Sequence, residues 1–224
     1  MTAVNRLVIF DCDGTLVDSQ HMIVGTMHDT FEELGLPVLD DAAVRNIVGL
    51  SLVEAMAALL PEAESAFHEM AAEKYKANFY KRRVEQAAGP DPLYKGILDI
   101  LESLNDDGYL LGVATGNSMR GLERVLEEHS IGKHFVTLQT ADGHPSKPHP
   151  SMVQTAIAEA GSDADAAVMV GDTSFDMMMA HNARCGGIGV DWGYHHTDEL
   201  EGAGAAHVVS SSYDIPAVVK GLIG

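Results

Sequence analysis

The apolar positions of this chain change rhythm twice. Leu7-Val8-Ile9-Phe10 is an unbroken apolar run of strand length that stops against Asp11-Cys12-Asp13-Gly14-Thr15. A run of this kind reads as a strand buried on both faces of a parallel sheet. From His21 to Leu34 the pattern turns helical, with Ile23, Met27, Phe31 and Leu34 on one stripe, and Gly35-Leu36-Pro37 ends it. Three further helices are expected over Asp40–Val48, Ser51–Leu60 and Glu62–Glu85, with no strand between them. Alternation resumes after Gly89-Pro90-Asp91-Pro92. Helices at Leu93–Asn105, Ser118–His129, Pro150–Ala160, Ser174–Arg184 and from Tyr213 onward interleave with strands at Tyr109–Ala114, Phe135–Leu138, Ala167–Val170, Gly187–Val190 and His207–Ser210. The segment between Val190 and His207 reads as loop.

This rhythm predicts an α/β protein with a mostly parallel sheet covered on both faces. The helical stretch interrupts it, so residues 17–88 are expected to form a cap domain inserted into a core domain made of 1–16 and 89–224. A chain of 224 residues with 46% apolar composition is long enough for both.

Charge narrows the partners. The chain carries 33 acidic and 14 basic residues, a formal charge of −19, which disfavours phosphodiester backbones and anionic membranes at long range. No apolar run approaches the roughly 20 residues that span a bilayer, and Met1–Arg6 has no signal-peptide pattern. The expectation is a cytoplasmic monomer or homodimer that binds neither nucleic acid nor membrane. Two cysteines, Cys12 and Cys185, suit a reducing compartment. An anionic substrate would need positive charge concentrated at its site.

The chemistry gathers at strand ends. Phe10 leads into Asp11, Ala114 into Thr115-Gly116-Asn117, and Val170 into Gly171-Asp172; in a parallel sheet these ends share one edge. Lys147, held among Pro145, Pro148 and Pro150, belongs to a loop on that edge. Asp11, Asp13 and Asp172, with Asp176 one turn further on, make a hard oxygen nest suited to Mg²⁺. Thr115, the turn amides around Gly116 and Asn117, and Lys147 supply donors for phosphoryl oxygens. A carboxylate can itself be the nucleophile, and Asp11 is the choice.

The ordered set Asp11-x-Asp13-Gly14-Thr15, Thr115-Gly116-Asn117, Lys147-Pro148 and Gly171-Asp172-x-x-x-Asp176 resembles the four motifs of haloacid dehalogenase superfamily phosphatases. With the helical insertion, Asp13-Gly14-Thr15-Leu16-Val17-Asp18-Ser19 is similar to the phosphoglycolate phosphatase and β-phosphoglucomutase-like branch. The resemblance implies a Rossmann-like three-layer core and an aspartyl-phosphate on Asp11, with Asp13 as general acid and then base. It also implies Mg²⁺ held by Asp11, the Asp13 backbone carbonyl and Asp172, with Asp176 in support, and phosphoryl oxygens held by Thr115 and Lys147. The cap loop at Gly49 resembles a specificity loop, and Arg45 beside it is a candidate substrate contact.

The expected activity is therefore hydrolysis of a small phosphorylated metabolite, phosphoglycolate or a sugar phosphate. A phosphomutase shares every one of these residues, and a non-catalytic sensor of phosphometabolites is the alternative from another class. Arg82-Arg83 near the end of the cap read as solvated charge, and His195-His196 as a loop or helix start.

Overall fold

The computed structural model describes residues 4–85 and 89–224. Six strands form one parallel sheet in the order β3-β2-β1-β4-β5-β6. They are β1 (Asn5–Phe10), β2 (Leu110–Thr115), β3 (Phe135–Thr140), β4 (Ser162–Gly171), β5 (Gly186–Val190) and β6 (His207–Val209). Successive side chains of β1 point to opposite faces. Val8 and Phe10 pack with α5 (Ile97–Asp106), α6 (Met119–Glu128) and α10 (Ile215–Ile223); Leu7 and Ile9 pack with α7 (Ser151–Glu159) and α8 (Ser174–Ala183). Helices thus cover both faces, and the expected α/β architecture is present.

The chain runs outward from β1 through β2 to β3, then returns to place β4 on the other side of β1. That reversal is a topological switch point, and crevices open there at the carboxyl ends of the strands. Asp11 and Asp172 stand at the ends of the two strands that flank it.

Between β1 and β2 lie α1 (Gln20–Glu33), α2 (Asp41–Arg45), α3 (Leu52–Leu59) and α4 (Ser65–Glu85). They bury an apolar cluster of their own, with Met27, Phe31, Val44, Met56, Ala71 and Tyr75. The two crossings between sheet and helices run side by side. Val17 bridges Leu93, Asp18 N–H donates to the Pro92 carbonyl at 2.8 Å and Tyr94 N–H to the Leu16 carbonyl at 3.0 Å. The expected boundary at Ala88 falls on residues 86–88, which with 1–3 lie outside the described residues. No described helix is long and apolar enough to cross a membrane.

Three elements depart furthest from the sequence expectation. β4 starts at Ser162 rather than Ala167, because Asp163 and Asp165 sit on its exposed side and dilute the apolar signal. Helix α5 starts only at Ile97, since Leu93 is taken up by the bridge to Val17. The loop before β6 contains α9 (Thr197–Gly202), a helix with one buried residue, Leu200, and so no periodicity to read.

Candidate active site

Strand β1 delivers Asp11 to the carboxyl edge of the sheet, where it is almost fully buried. The Lys147 ammonium, from the loop after β3, lies 2.9 Å from Asp11 Oδ1 and 2.6 Å from Asp176 Oδ1. Its side chain is 0% exposed, so the ion pair is shielded from bulk solvent. Asp176 comes from the first turn of α8, where its Oδ2 accepts from the Thr173 amide at 3.1 Å and the Thr173 hydroxyl at 2.7 Å. That capping box fixes the helix start through Oδ2, while Lys147 takes Oδ1. Asp172 accepts from the Thr15 hydroxyl at 2.7 Å and from the Tyr194 amide at 2.9 Å. Oxygens of Asp11, Asp172 and Asp176 all lie within 4.8 Å of one another.

Asp11 divides its two oxygens. Oδ1 accepts from the Cys12 amide at 2.7 Å as well as from Lys147, whereas Oδ2 is buried without a hydrogen-bond partner among the described residues. A buried orphan oxygen is costly unless something meets it. Beside two other carboxylates and one lysine, the site carries excess negative charge, the donor set a hard divalent cation takes. The residues present therefore fit such an ion, with Asp11 Oδ2 as the oxygen free to meet it and Asp172 alongside.

Burial pushes the Asp11 carboxyl up to about 7, against the pull of Lys147. Asp172 is also raised, by burial and then by the charges of Asp11 and Asp176. Burial disfavours the Lys147 ammonium, but Asp11 and Asp176 outweigh it and hold its value above the ordinary range.

Asp13 is half-buried, and its Oδ2 accepts from Asn117 Nδ2 at 3.2 Å. Thr115 is buried, its Oγ1 accepting from the Asn117 amide at 3.2 Å. The turn Thr115-Gly116-Asn117 thus meets the β1 loop across 104 residues of sequence.

The helical insertion presses onto this edge. A Cβ at Gly116 would lie 2.5 Å from the Gly49 carbonyl oxygen and 2.7 Å from that of Leu50. Gly49 itself has φ +99°, and a Cβ there would come within 3.1 Å of Thr173 Oγ1. The Ser51 amide donates to Ser146 Oγ, next to Lys147, at 2.8 Å. Gly116→Ala must push backbone against backbone, at a cost of about 1–3 kcal/mol to the seated loop. The expected outcome is a fall in kcat/KM of about tenfold or more with a normal melting curve for the sheet core, checked by steady-state kinetics and calorimetry. Arg45 ends α2, half-buried, with no hydrogen bond or ion pair among the described residues. A separate cleft of about 480 Å³ between α1, α2 and α4 is lined by Asp18, His21, His28, Asp41 and Arg82 and includes none of the carboxylates around Lys147.

Comparison with known proteins decides the family. The sequence profile described as haloacid dehalogenase-like hydrolase matches residues 8–190. The chain belongs to the haloacid dehalogenase-like hydrolase family. Among curated relatives, this hydrolase is 35% identical over 220 residues to "Probable phosphatase IndB" of Dickeya dadantii, covering 97% of this chain and 94% of the relative. It is 27% identical to a phosphoglycolate phosphatase of Vibrio parahaemolyticus, covering 96% of each. A crystal structure described as a predicted phosphatase from Clostridium acetobutylicum superposes with a TM-score of 0.84 at 25% identity over 99% of both chains.

Gly14 and Thr15 of the first motif, with Asp172, face residues that sequence reasoning passed over, Trp192, Gly193 and Tyr194. A Cβ at Gly14 would lie 2.3 Å from Asp172 Oδ2, and one at Gly193 would lie 2.3 Å from the same atom. Only glycine at both positions lets the loops after β1 and β5 close on that carboxylate. Trp192 Nε1 donates to the Thr15 carbonyl at 3.3 Å and ties the same loops together. The available signal was Val190, a further strand end on the shared edge. His195 and His196 do not converge: His195 Nδ1 accepts from the Ser174 amide at 3.0 Å, and His196 N-caps α9. Arg82 pairs with Asp29, and Arg83 is nine-tenths buried against Asp91, so neither is the solvated charge expected.

The raised Asp11 value carries a sign for stability. The folded, metal-free protein holds a proton that the unfolded chain loses near 3.8, so this group's contribution is full below that value and is lost as pH rises through about 7. In chelator, the melting temperature of the wild type relative to Asp11→Asn is expected to fall across that window, and Mg²⁺ to restore it most at the alkaline end. Parallel pH profiles of the two proteins would remove the raised value from the account.

Proposed function

We propose that this hydrolase is a Mg²⁺-dependent phosphatase that cleaves a small phosphomonoester through an aspartyl-phosphate on Asp11. The observation that carries the reading is the Lys147 ammonium, fully buried between Asp11 and Asp176 beside Asp11 Oδ2, which has no hydrogen-bond partner among the described residues. A structural ion pair needs no third carboxylate and no free oxygen; a phosphoryl-accepting carboxylate needs both a screened charge and an open face.

Asp11, Asp172 and the Asp13 backbone carbonyl are the residues that would hold Mg²⁺, with Asp176 in support; when bound, the ion would offset their negative charge so that a phosphate can approach. Lys147 screens Asp11 and, with the Thr115 hydroxyl and the amides of Gly116 and Asn117, receives phosphoryl oxygens. In the first half-reaction an Asp11 oxygen forms a bond to phosphorus as the ester oxygen leaves, and Asp13 gives that oxygen a proton. In the second, Asp13 takes a proton from water, the water oxygen attacks phosphorus, and orthophosphate leaves with Asp11 restored. Asn117 orients the Asp13 carboxylate through its amide. The loop at Gly49 covers the edge and excludes bulk water between the two steps, and Arg45, at the end of α2, is a candidate substrate contact.

Phosphoglycolate is the substrate to try first, on the strength of the Vibrio relative's name. The test is release of orthophosphate from a panel of phosphorylated metabolites, with Mg²⁺ and with chelator. Hydrolysis that needs the ion supports the reading. Turnover unaffected by chelation, conversion of a sugar phosphate to its isomer, or no turnover of any ester contradicts it.

A further inference from the structure

Lys147 sits in the loop that joins β3 to α7, a segment with no strand or helix of its own. Side chains must therefore hold it in place. Those that do so form a chain of hydrogen bonds beginning at Glu159, the last residue of α7. Its Oε2 accepts from the Thr137 hydroxyl at 2.6 Å and from Gln139 Nε2 at 2.8 Å. The same Gln139 nitrogen donates to Thr137 Oγ1 at 2.7 Å, so both of its hydrogens are used. Gln139 Oε1 then meets His144 Nε2 at 2.9 Å, and His144 Nδ1 lies 2.8 Å from the Ser151 hydroxyl.

The carboxylate at one end fixes the direction of the whole chain. It can only accept, which turns the Gln139 amide nitrogen toward Glu159 and leaves the amide oxygen for His144. That oxygen needs a donor, so His144 carries its proton on Nε2 and accepts from Ser151 at Nδ1. Thr137 and Gln139 are buried, on one face of β3. Ser151 opens α7, so the imidazole fastens the strand before the loop to the helix after it, with Lys147 between the two anchors. On the far side of Lys147, Asn182 of α8 donates to the Pro148 carbonyl at 3.0 Å.

The lysine needs that support. An ammonium has three N–H groups, and two of them go to Asp11 at 2.9 Å and Asp176 at 2.6 Å. The third is left for a phosphoryl oxygen, and its direction follows the backbone from which the side chain extends. We propose that His144 is a positioning residue, tying β3 to α7 so that the third N–H of Lys147 points at the phosphoryl group in transfer. The proposal rests on the phosphatase reading and adds to it a residue that acts only through Lys147.

His144→Leu removes both hydrogen bonds and is expected to lower kcat about tenfold or more, with KM within about threefold, because a misdirected donor costs most in the transition state. His144→Gln keeps one donor and one acceptor and is expected to recover most of the loss. Gln139→Leu cuts the chain from the strand side, leaves Thr137 on Glu159, and is expected to reproduce the loss; it carries the test if His144→Leu does not fold. Inhibition by orthovanadate, a five-coordinate mimic of the transferring group, should weaken in His144→Leu by about the same factor as kcat falls. In a Lys147→Met background, His144→Leu should cost less than about twofold, since the group it serves is gone. Melting curves set each rate per folded protein. A lowered Tm with kcat and orthovanadate inhibition unchanged, or an equal loss with and without Lys147, overturns the positioning role while leaving phosphatase activity intact. A wild type that hydrolyses no ester defeats the phosphatase reading and this proposal with it.

Discussion

Asp11→Asn is expected to lower Mg²⁺-dependent phosphate release by at least about a thousandfold while leaving the protein folded. Asparagine keeps the size of the side chain and the acceptor for the Cys12 amide, but its carbonyl oxygen cannot displace an alkoxide from phosphorus. Folding should not suffer, because Lys147 keeps its 2.6 Å contact with Asp176 and the variant no longer ionises a buried carboxyl. The measurement is phosphate release at saturating ester, alongside thermal unfolding. A variant that folds and turns over within tenfold of the wild type would remove Asp11 as nucleophile.

Lys147→Met is expected to cost both activity and stability. Its ammonium is the cation that answers Asp11 at 2.9 Å and Asp176 at 2.6 Å, and the side chain has no exposed surface. Removing one partner of a buried ion pair leaves uncompensated charge and costs about 3–5 kcal/mol, which for a chain of this size lowers Tm by roughly 10 °C. The deficit should grow as pH rises, since the carboxylates can protonate at low pH and escape the penalty. Mg²⁺ is expected to recover part of the stability. Activity should stay about a hundredfold or more below the wild type, because the ammonium that screens Asp11 is gone. Arginine is not a substitute, as its planar fork does not fit a slot shaped for one nitrogen between two oxygens. Thermal melts at several pH values with and without Mg²⁺, read beside phosphate release, decide it; a variant as stable as the wild type would show that the lysine is not neutralising the site.

What the chain disclosed by itself follows a physical division. The sheet was legible because a strand buried on both faces must be apolar throughout, as Leu7–Phe10 and Ala167–Val170 are. The converging strand ends were legible because a parallel sheet puts every strand's carboxyl end on one edge, so Asp11, Thr115 and Asp172 meet without any local signal joining them. The first half of β4 was hidden by outward-facing Asp163 and Asp165, and α9 by having one buried side chain. Gly193 and Tyr194 were missed because their importance lies in the close packing of loops distant in sequence, where the Tyr194 amide reaches Asp172 at 2.9 Å and Gly193 leaves no room for a Cβ. The burial of Arg83 against Asp91 depends on how α4 meets the returning chain, and no periodicity in either segment records it.

The covalent step is the centre of this account, and it can be trapped. Asp13→Asn is expected to slow the water attack more than the first transfer, because water must give up its proton to that residue. Acid quench of this variant during turnover of 2-phosphoglycolate or another accepted ester, followed by borohydride reduction and peptide mass analysis, should place a single acid-stable mark on Asp11. Phosphoryl groups found on another residue, or phosphate release with Asp11 unmarked at every time point, would contradict it.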